Sequence, residues 1–548
     1  MKKLAILMLV LCMLPLAGLA ESTYPAMPRG DLSNMPISDE KIELDVWCVA
    51  TADVEDMETN EMTKMYEELT NVHVNWTVAN TSDSSSMFNL SLASGEYPDV
   101  YMCTIGGTTG VITNGMNEGI FIPLEDLIEE HAPNMKAILD ADPKVREMIT
   151  APDGHIYSFL RFDGTQSPFN RLWIFQPWLK QYTEATGKGE PQTLAELREL
   201  LEYFRDHDMN GNGDATDEIP LMGTYHYATQ GSDPLFYIMN CFKLFPSAYL
   251  SVQDGKAVYA PTGEDYREGL RYVRDLIKDG LLDEITYTQN LNQYRAVVNV
   301  TEEKDMKVGV AAAPYYMRFV TQSIYADAYE DFYFLPPVEG PTGLRQTDYR
   351  ESGFMMNWAI TSACEDPVAA IKWLDGLTTP YMVAYATFGD EGTDWVFTGE
   401  YKEEYCNAPV VKRLTTTLCA DGASTQNRRW PAWLSRIYYP DGYKSIYQSP
   451  DDPKTINETA ANEAYMKYAV NIGIPAMIWN TDEDLALEEA ELKGQIHDYT
   501  NNMQTQFILG LLDIDDDAVW AEYENGLLER GLERYLEVKA EVWGLNED

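Results

Sequence analysis

Between residues 43 and 103 the sequence alternates between two periodicities. Leu44-Asp45-Val46-Trp47-Cys48-Val49 is strand-like, and Glu55 to Leu69 repeats with helical spacing. Val72-His73-Val74-Asn75-Trp76-Thr77-Val78 alternates as a strand, Met87 to Ala93 is helical, and Asp99-Val100-Tyr101-Met102-Cys103 forms a third strand. Strands separated by helices predict an α/β fold built on a parallel sheet with helices on both faces. Two short strand candidates follow around Tyr157 and Trp173 within 155–177. Thr193 and Glu196 form a capping box, after which Leu194, Leu197, Leu200, Leu201 and Phe204 trace one apolar helix face. Glu264 to Asp279 reads as an amphipathic helix stopped by Gly280, Lys307 to Ala311 and Phe354 to Thr361 as strands, and Asp366-Pro367 as a helix start. From residue 480 the chain is almost wholly helical.

With 548 residues there is room for three or four domains or for two large lobes. The chain carries 40 Lys+Arg against 88 Asp+Glu, a formal net charge of −48, and shows no cluster of basic residues. Nucleic acid and anionic membrane are therefore excluded as partners, and a solubilised monomer is expected. At 45% hydrophobic and 12% aromatic the sequence is also not a disordered acidic chain.

Lys2 and Lys3, the apolar run Leu4 to Leu16 and the small residues Gly18-Leu19-Ala20 read as a signal peptide over 1–20, cleaved before Glu21. Residues 21–42, with Pro25, Pro28 and Pro36 among polar residues, read as an extended leader. The cysteines outside the signal are widely spaced without CxxC. Cys48 and Cys103 are expected as buried thiols, which leaves Cys406 and Cys419 as a pair open to bridging.

The sharpest local motif is Asp208-Met209-Asn210-Gly211-Asn212-Gly213-Asp214-Ala215-Thr216-Asp217-Glu218. Its oxygen-bearing side chains recur at every second position, as needed to wrap a hard cation such as Ca2+. The fit to an EF-hand is partial, because Ile219-Pro220 stands where an exiting helix belongs, and a loop of Asx turns is the competing reading. Catalytic motifs are missing: HExxH, GxSxG and the GxxxxGK[ST] phosphate loop are all absent. Acidic pairs such as Glu351 with Glu391 leave a secreted glycoside hydrolase as a rival, although such a pair works only at a set separation across a sugar. Trp173, Tyr315, Tyr316, Trp358 and Trp395 stand where strands give way to loops or helices. Aromatic rings there suit the C–H faces of sugars, with neighbouring carboxylates bonding the hydroxyls.

Several blocks together resemble the bacterial extracellular solute-binding proteins of family 1, in the LipO-type subgroup. They are Leu92-Ala93-Ser94-Gly95-Glu96-Tyr97-Pro98-Asp99-Val100, Ile122-Pro123-Leu124-Glu125-Asp126-Leu127-Ile128 with Ala132-Pro133-Asn134, and Asp153-Gly154-His155-Ile156-Tyr157. To these are added Trp178-Leu179 through Asp217-Glu218-Ile219-Pro220-Leu221, Gly389 with Glu391, Gly392 and Trp395, and the late pattern Phe507 to Gly510, Trp520, Tyr523, Gly531-Leu532 and Tyr535-Leu536. The resemblance implies a two-lobed, type II periplasmic-binding-protein-like fold with a helical C-terminal region. The lobes are expected to divide as 43–155 with about 296–355, and about 156–295 with 356–548. It implies no enzyme but a receptor that captures an oligosaccharide and delivers it to the membrane permease subunits of an ABC importer; a binding protein for peptides or other polar solutes is a second rival.

Carried onto this sequence, the resemblance makes Asp208, Asn210, Asn212, Asp214, Asp217 and Glu218 the calcium ligands. Trp173, Trp358 and Trp395 become stacking platforms, with Tyr315 and Tyr316 beside them and Glu391 and Asp394 as hydroxyl acceptors. Two departures stand out: Cys12 follows Leu11 and is no lipid-anchoring cysteine, and the motifs show no basic residues at the cleft, which disfavours a strongly anionic sugar.

Overall fold

The structure, a computed structural model, describes residues 24–545 apart from 52–53, 82, 142, 163–167, 226–230, 301, 316–317, 321–330, 350–353, 404–406, 415–424, 432–445, 450–452 and 476. The signal-peptide reading, Tyr316, Glu351, Cys406 and Cys419 lie outside the described residues.

Nine strands make the two main sheets: β1 (Ile42–Ala50), β2 (Val72–Asn80), β3 (Val100–Met102), β4 (Phe159–Phe162), β5 (Leu172–Phe175), β6 (Ile219–Met222), β7 (Val308–Ala312), β8 (Phe332–Leu335) and β9 (Phe354–Ile360). The first sheet has the order β2-β1-β3-β9-β4. In it β1 is parallel to β2, from Ile42 opposite Val72 to Ala50 opposite Asn80, and parallel to β3, while β9 runs against both β3 and β4. The second sheet has the order β8-β5-β7-β6, with β6 and β7 parallel and β5 antiparallel to β7 and β8. The alternation read between 43 and 103 is thus the parallel part of the first sheet. Its first helix begins later than expected, at Glu61, because the Asn60 side chain accepts from Met62 N and sets the start there. The Thr193–Glu196 capping box is present in both directions, and Leu194, Leu197, Leu200, Leu201 and Phe204 are all buried.

Each sheet has its own hydrophobic core. The first gathers residues from Met27 to Phe159 and again from Met356 to Ile446, and the second from Leu172 to Val338 and from Ala461 to Trp543. The division expected from the resemblance is corrected here. The stretch 296–355 contributes β7 and β8 to the second sheet, and the segment after 356 begins by completing the first. The chain passes between lobes at 159–172, 338–356 and 446–461. A further segment reaches back, with Met477 and Trp479 packed on the first core and Ile478 on the second. Helices Glu483–Ile508, Asp517–Glu529 and Leu532–Val542 close the second lobe.

The leader, read as extended, is docked on the first lobe. Met27 is buried and its N–H donates to Glu391 Oε1 at 2.6 Å, Arg29 lies 5.1 Å over the Tyr381 ring, and Asn134 Nδ2 donates to Asp31 O at 2.8 Å. Cys48, Cys103, Cys241 and Cys364 are buried free thiols, and burial pushes the Cys48 and Cys103 thiols up. Among the described residues no helix is long and apolar enough to cross a membrane.

Candidate functional site

Strand direction decides which ends of the two sheets meet. In the first lobe Trp358 of β9 pairs with Met102 of β3 and Ile360 with Val100. The amino end of β9, where the chain arrives from the second lobe, therefore lies beyond the carboxyl end of β3. In the second lobe Leu172 of β5 pairs with Ala312 of β7. The segment arriving from the first lobe thus lies beside the residues that leave β7. Both sheets turn the carboxyl ends of their parallel strands toward the crossings, the place where open α/β sheets hold ligands.

At this end of the second lobe three segments close on one another. After β6, Thr224 N donates to Ser232 O at 2.8 Å, which brings these two residues together. Gly231 has φ +76°, and a Cβ there would lie 2.8 Å from Phe169 O and 3.0 Å from Pro314 Cβ, so the loop touches both the incoming segment and the one leaving β7. Only glycine fits such a contact at positive φ. On the two flanking segments Phe169 is 46% exposed and Tyr315 is 40% exposed. Large aromatic rings left open beside a crossing offer flat apolar faces, the chemistry that receives sugar rings.

Of the aromatic residues expected at the site, Tyr315 is open and the three tryptophans are not. Trp173 is fully buried in β5 and donates its indole N–H to Ala313 O at 2.9 Å. Trp358 is buried and stacks on Phe159 with ring centroids 6.2 Å apart. Trp395 is buried, donates to Gly389 O at 2.7 Å and meets Tyr381 edge-on. With their faces covered by protein, these rings are packing residues rather than platforms. The two expected acceptors are also engaged. Glu391 holds the Met27 N–H, and Asp394, 1% exposed, accepts from Asp390 N at 2.7 Å and pairs with Arg428 at 2.6 Å. Glu391, Asp394 and Trp395 do come together, but as the knot that anchors the leader and β-strand Trp395–Lys402. Phe169 went unread; its signal was an aromatic isolated between Pro168 and Asn170 just ahead of a strand.

The 208–218 loop folds around its own oxygens. Asp208 accepts from Asn212 N at 3.1 Å and Gly213 N at 2.9 Å, and Asn210 Oδ1 accepts from Asn212 N at 3.0 Å. Asp217 accepts from Asn212 Nδ2 at 3.0 Å and pairs with Lys307 at 3.0 Å. Glu218, 9% exposed, receives Met209 N on Oε1 at 2.8 Å, while its Oε2 is buried without a partner. Burial raises the Glu218 carboxyl above its ordinary range. Asp214 is turned to Thr216, accepting from its N–H and hydroxyl. Among the described residues no group of three or more His, Cys, Asp or Glu side chains is assembled as a metal cage.

No family model matches the chain. It is 28% identical over 491 residues, 87% of this chain and 85% of the relative, to the fructooligosaccharide ABC transporter substrate-binding protein FusA of Streptococcus pneumoniae serotype 4. The solved structure of that protein in complex with kestose is 26% identical, with a TM-score of 0.73 over 92% of this chain and 99% of that one. An EF-hand mutant of FusA in complex with fructo-nystose matches with a TM-score of 0.72 at 26% identity, over 92% and 99% of the two chains.

Proposed function

We infer that this chain, a member of the extracellular solute-binding proteins of family 1, is the receptor of an ABC importer and captures an oligosaccharide between its two lobes. The observation that carries this is likeness along nearly the whole chain to a receptor solved with kestose, in a fold that turns both sheets' carboxyl ends to the interlobe crossings. The work is binding without turnover. The open form samples closure about the crossings, and a sugar that touches both lobes shifts the population to the closed form. Export by a signal peptide cleaved before Glu21 fits this role, since the receptor must meet its cargo outside the membrane.

Phe169 and Tyr315 are the stacking faces in this reading. A thermal-shift screen of residues 21–548 against neutral and charged oligosaccharides is expected to give a clear rise in melting temperature with one class, the sugar being recovered intact. Tyr315→Ala and Phe169→Ala should each weaken the bound sugar by about tenfold, ~1.4 kcal/mol. Unchanged affinity in both variants would remove these rings from the site, and shortened sugar products would favour the hydrolase instead.

The 208–218 loop is read as a structural calcium site. Asp208, Asn210, Asn212, Asp217 and Glu218 supply hard oxygens around one turn, and the partnerless Glu218 Oε2 is a buried oxygen that a cation would satisfy. Asp214 drops from the ligand set because Thr216 occupies it. When bound, calcium would neutralise these carboxylates and fix the entry to β6. Calcium at about a hundred times its Kd should stabilise the protein by about 2.7 kcal/mol relative to chelator, and Glu218→Gln should abolish most of that gain. Melting temperatures identical with calcium and with chelator would show that the loop holds itself by Asx turns alone.

A further inference from the structure

Beside Tyr315 stand two arginines, and among the described residues no acid pairs with either. Arg318 N donates to Tyr315 O at 3.0 Å, and Arg295 Nε donates to Arg318 O at 2.8 Å. Arg318 Nε is buried with no hydrogen-bond partner. Burial together with the Arg318 charge pushes the Arg295 guanidinium down. Elsewhere the arginines of this acidic chain find acids readily: Arg146 meets Glu129 at 2.8 Å, Arg274 meets Asp515 at 2.6 Å and Arg428 meets Asp390 at 2.8 Å.

Two half-buried cations close enough for one charge to act on the other, in a chain of net charge −48, are an unfavourable arrangement unless an anion joins them. Both are held firmly. Helix Leu291–Val298 carries Arg295 and is fixed to the strand end by Tyr294 OH donating to Ala312 O at 3.1 Å. Asn299 Nδ2 donates to Phe319 O at 2.8 Å. The position is the carboxyl end of β7, on the same turn as the open Tyr315 ring. Guanidinium groups present forked N–H donors that match carboxylate and sulfate oxygens.

We propose that Arg295 and Arg318 receive an anionic group of the captured oligosaccharide, a carboxylate or a sulfate, while Tyr315 stacks on the ring that bears it. The inference rests on the oligosaccharide-receptor reading and sets its substrate class apart from neutral sugars; it also revises the reading that disfavours a strongly anionic sugar, since these arginines lie outside the sequence motifs. Calorimetry with residues 21–548 would compare trigalacturonate, a sulfated heparin tetrasaccharide and neutral kestose, at low and at physiological salt. One charged probe should bind at least about tenfold tighter than kestose and weaken as salt rises, and the one that wins separates carboxylate from sulfate. Arg295→Gln and Arg318→Gln should each cost that probe at least about tenfold, while Arg318→Lys, which keeps the charge but not the fork, retains part of the affinity. Kestose binding as tightly as both charged probes, or unchanged affinity in Arg318→Gln, would overturn the anion assignment and leave the receptor intact. Failure of all three probes would overturn both.

Discussion

Replacing Arg428 by alanine is expected to cost about 3 kcal/mol of folding stability, the lower end for breaking a buried ion pair because its guanidinium keeps some contact with water. Arg428 donates to one oxygen of each of two carboxylates, Nη1 to Asp394 Oδ1 at 2.7 Å and Nη2 to Asp390 Oδ2 at 2.8 Å. Asp394 is 1% exposed, so without Arg428 it would be a buried charge beside a second carboxylate. Its Oδ2 also holds Asp390 N at 2.7 Å, a contact that a displaced carboxylate would lose. The damage should spread to Glu391 and so to Met27, loosening the leader. Urea unfolding of Arg428→Ala, and of Arg428→Met combined with Asp394→Asn, checks this: the double variant should recover a substantial part of the loss. A single-variant loss below about 1 kcal/mol, the range of exposed pairs, would mean that Asp394 is reached by water after all.

Asp348→Asn should instead stabilise the protein at neutral pH, by about 2–3 kcal/mol. Asp348 is half-buried and titrates at about 6 instead of the ordinary 3.8, loss of hydration being the cause, partly opposed by hydrogen bonds from Asn170 and Asn240. Between these two values the folded chain keeps a proton that the unfolded chain gives up. Its contribution to stability is therefore full below about pH 4, falls as pH rises to about 6, and stays lost above that. The neutral amide removes the penalty and still offers an oxygen to Asn170 Nδ2, which lies 2.8 Å from the carboxylate. Unfolding of both proteins at pH 4.5 and 7.5 separates this group from the many surface acids they share. A stability difference that does not change with pH would show that Asp348 is solvated. Asn170 and Asp348 sit on two different interlobe crossings, so the variant also tests how tightly those crossings are tied.

Much of the fold could be read locally. The strands of the first sheet, the Thr193 cap and the C-terminal helices depend on neighbouring residues, and all lie close to where periodicity placed them. What escaped reading is non-local. β5 pairs with β7 across about 135 residues of chain, and no periodicity says which lobe a strand joins. The tryptophans show a second limit. Leu172-Trp173-Ile174-Phe175 is buried at every position, because a sheet covered on both faces leaves no side of the strand free. A tryptophan inside such a run therefore has no ring face to offer, whereas Phe169 and Tyr315, just outside the runs, do. In the 208–218 loop the residue types were legible, but the turn of Asp214 toward Thr216 needed the geometry.

The interleaving of the lobes also orders their assembly in time. The first core waits for residues 356–446 before it can close, and the second waits for the helix ending at Val542, almost the last of the chain. A nascent chain of this protein emerges with neither half able to close before a distant later segment has followed it, and stays threadable for that long. For a protein read as leaving the cell through a narrow translocation channel, that built-in delay keeps it a passable thread for longest.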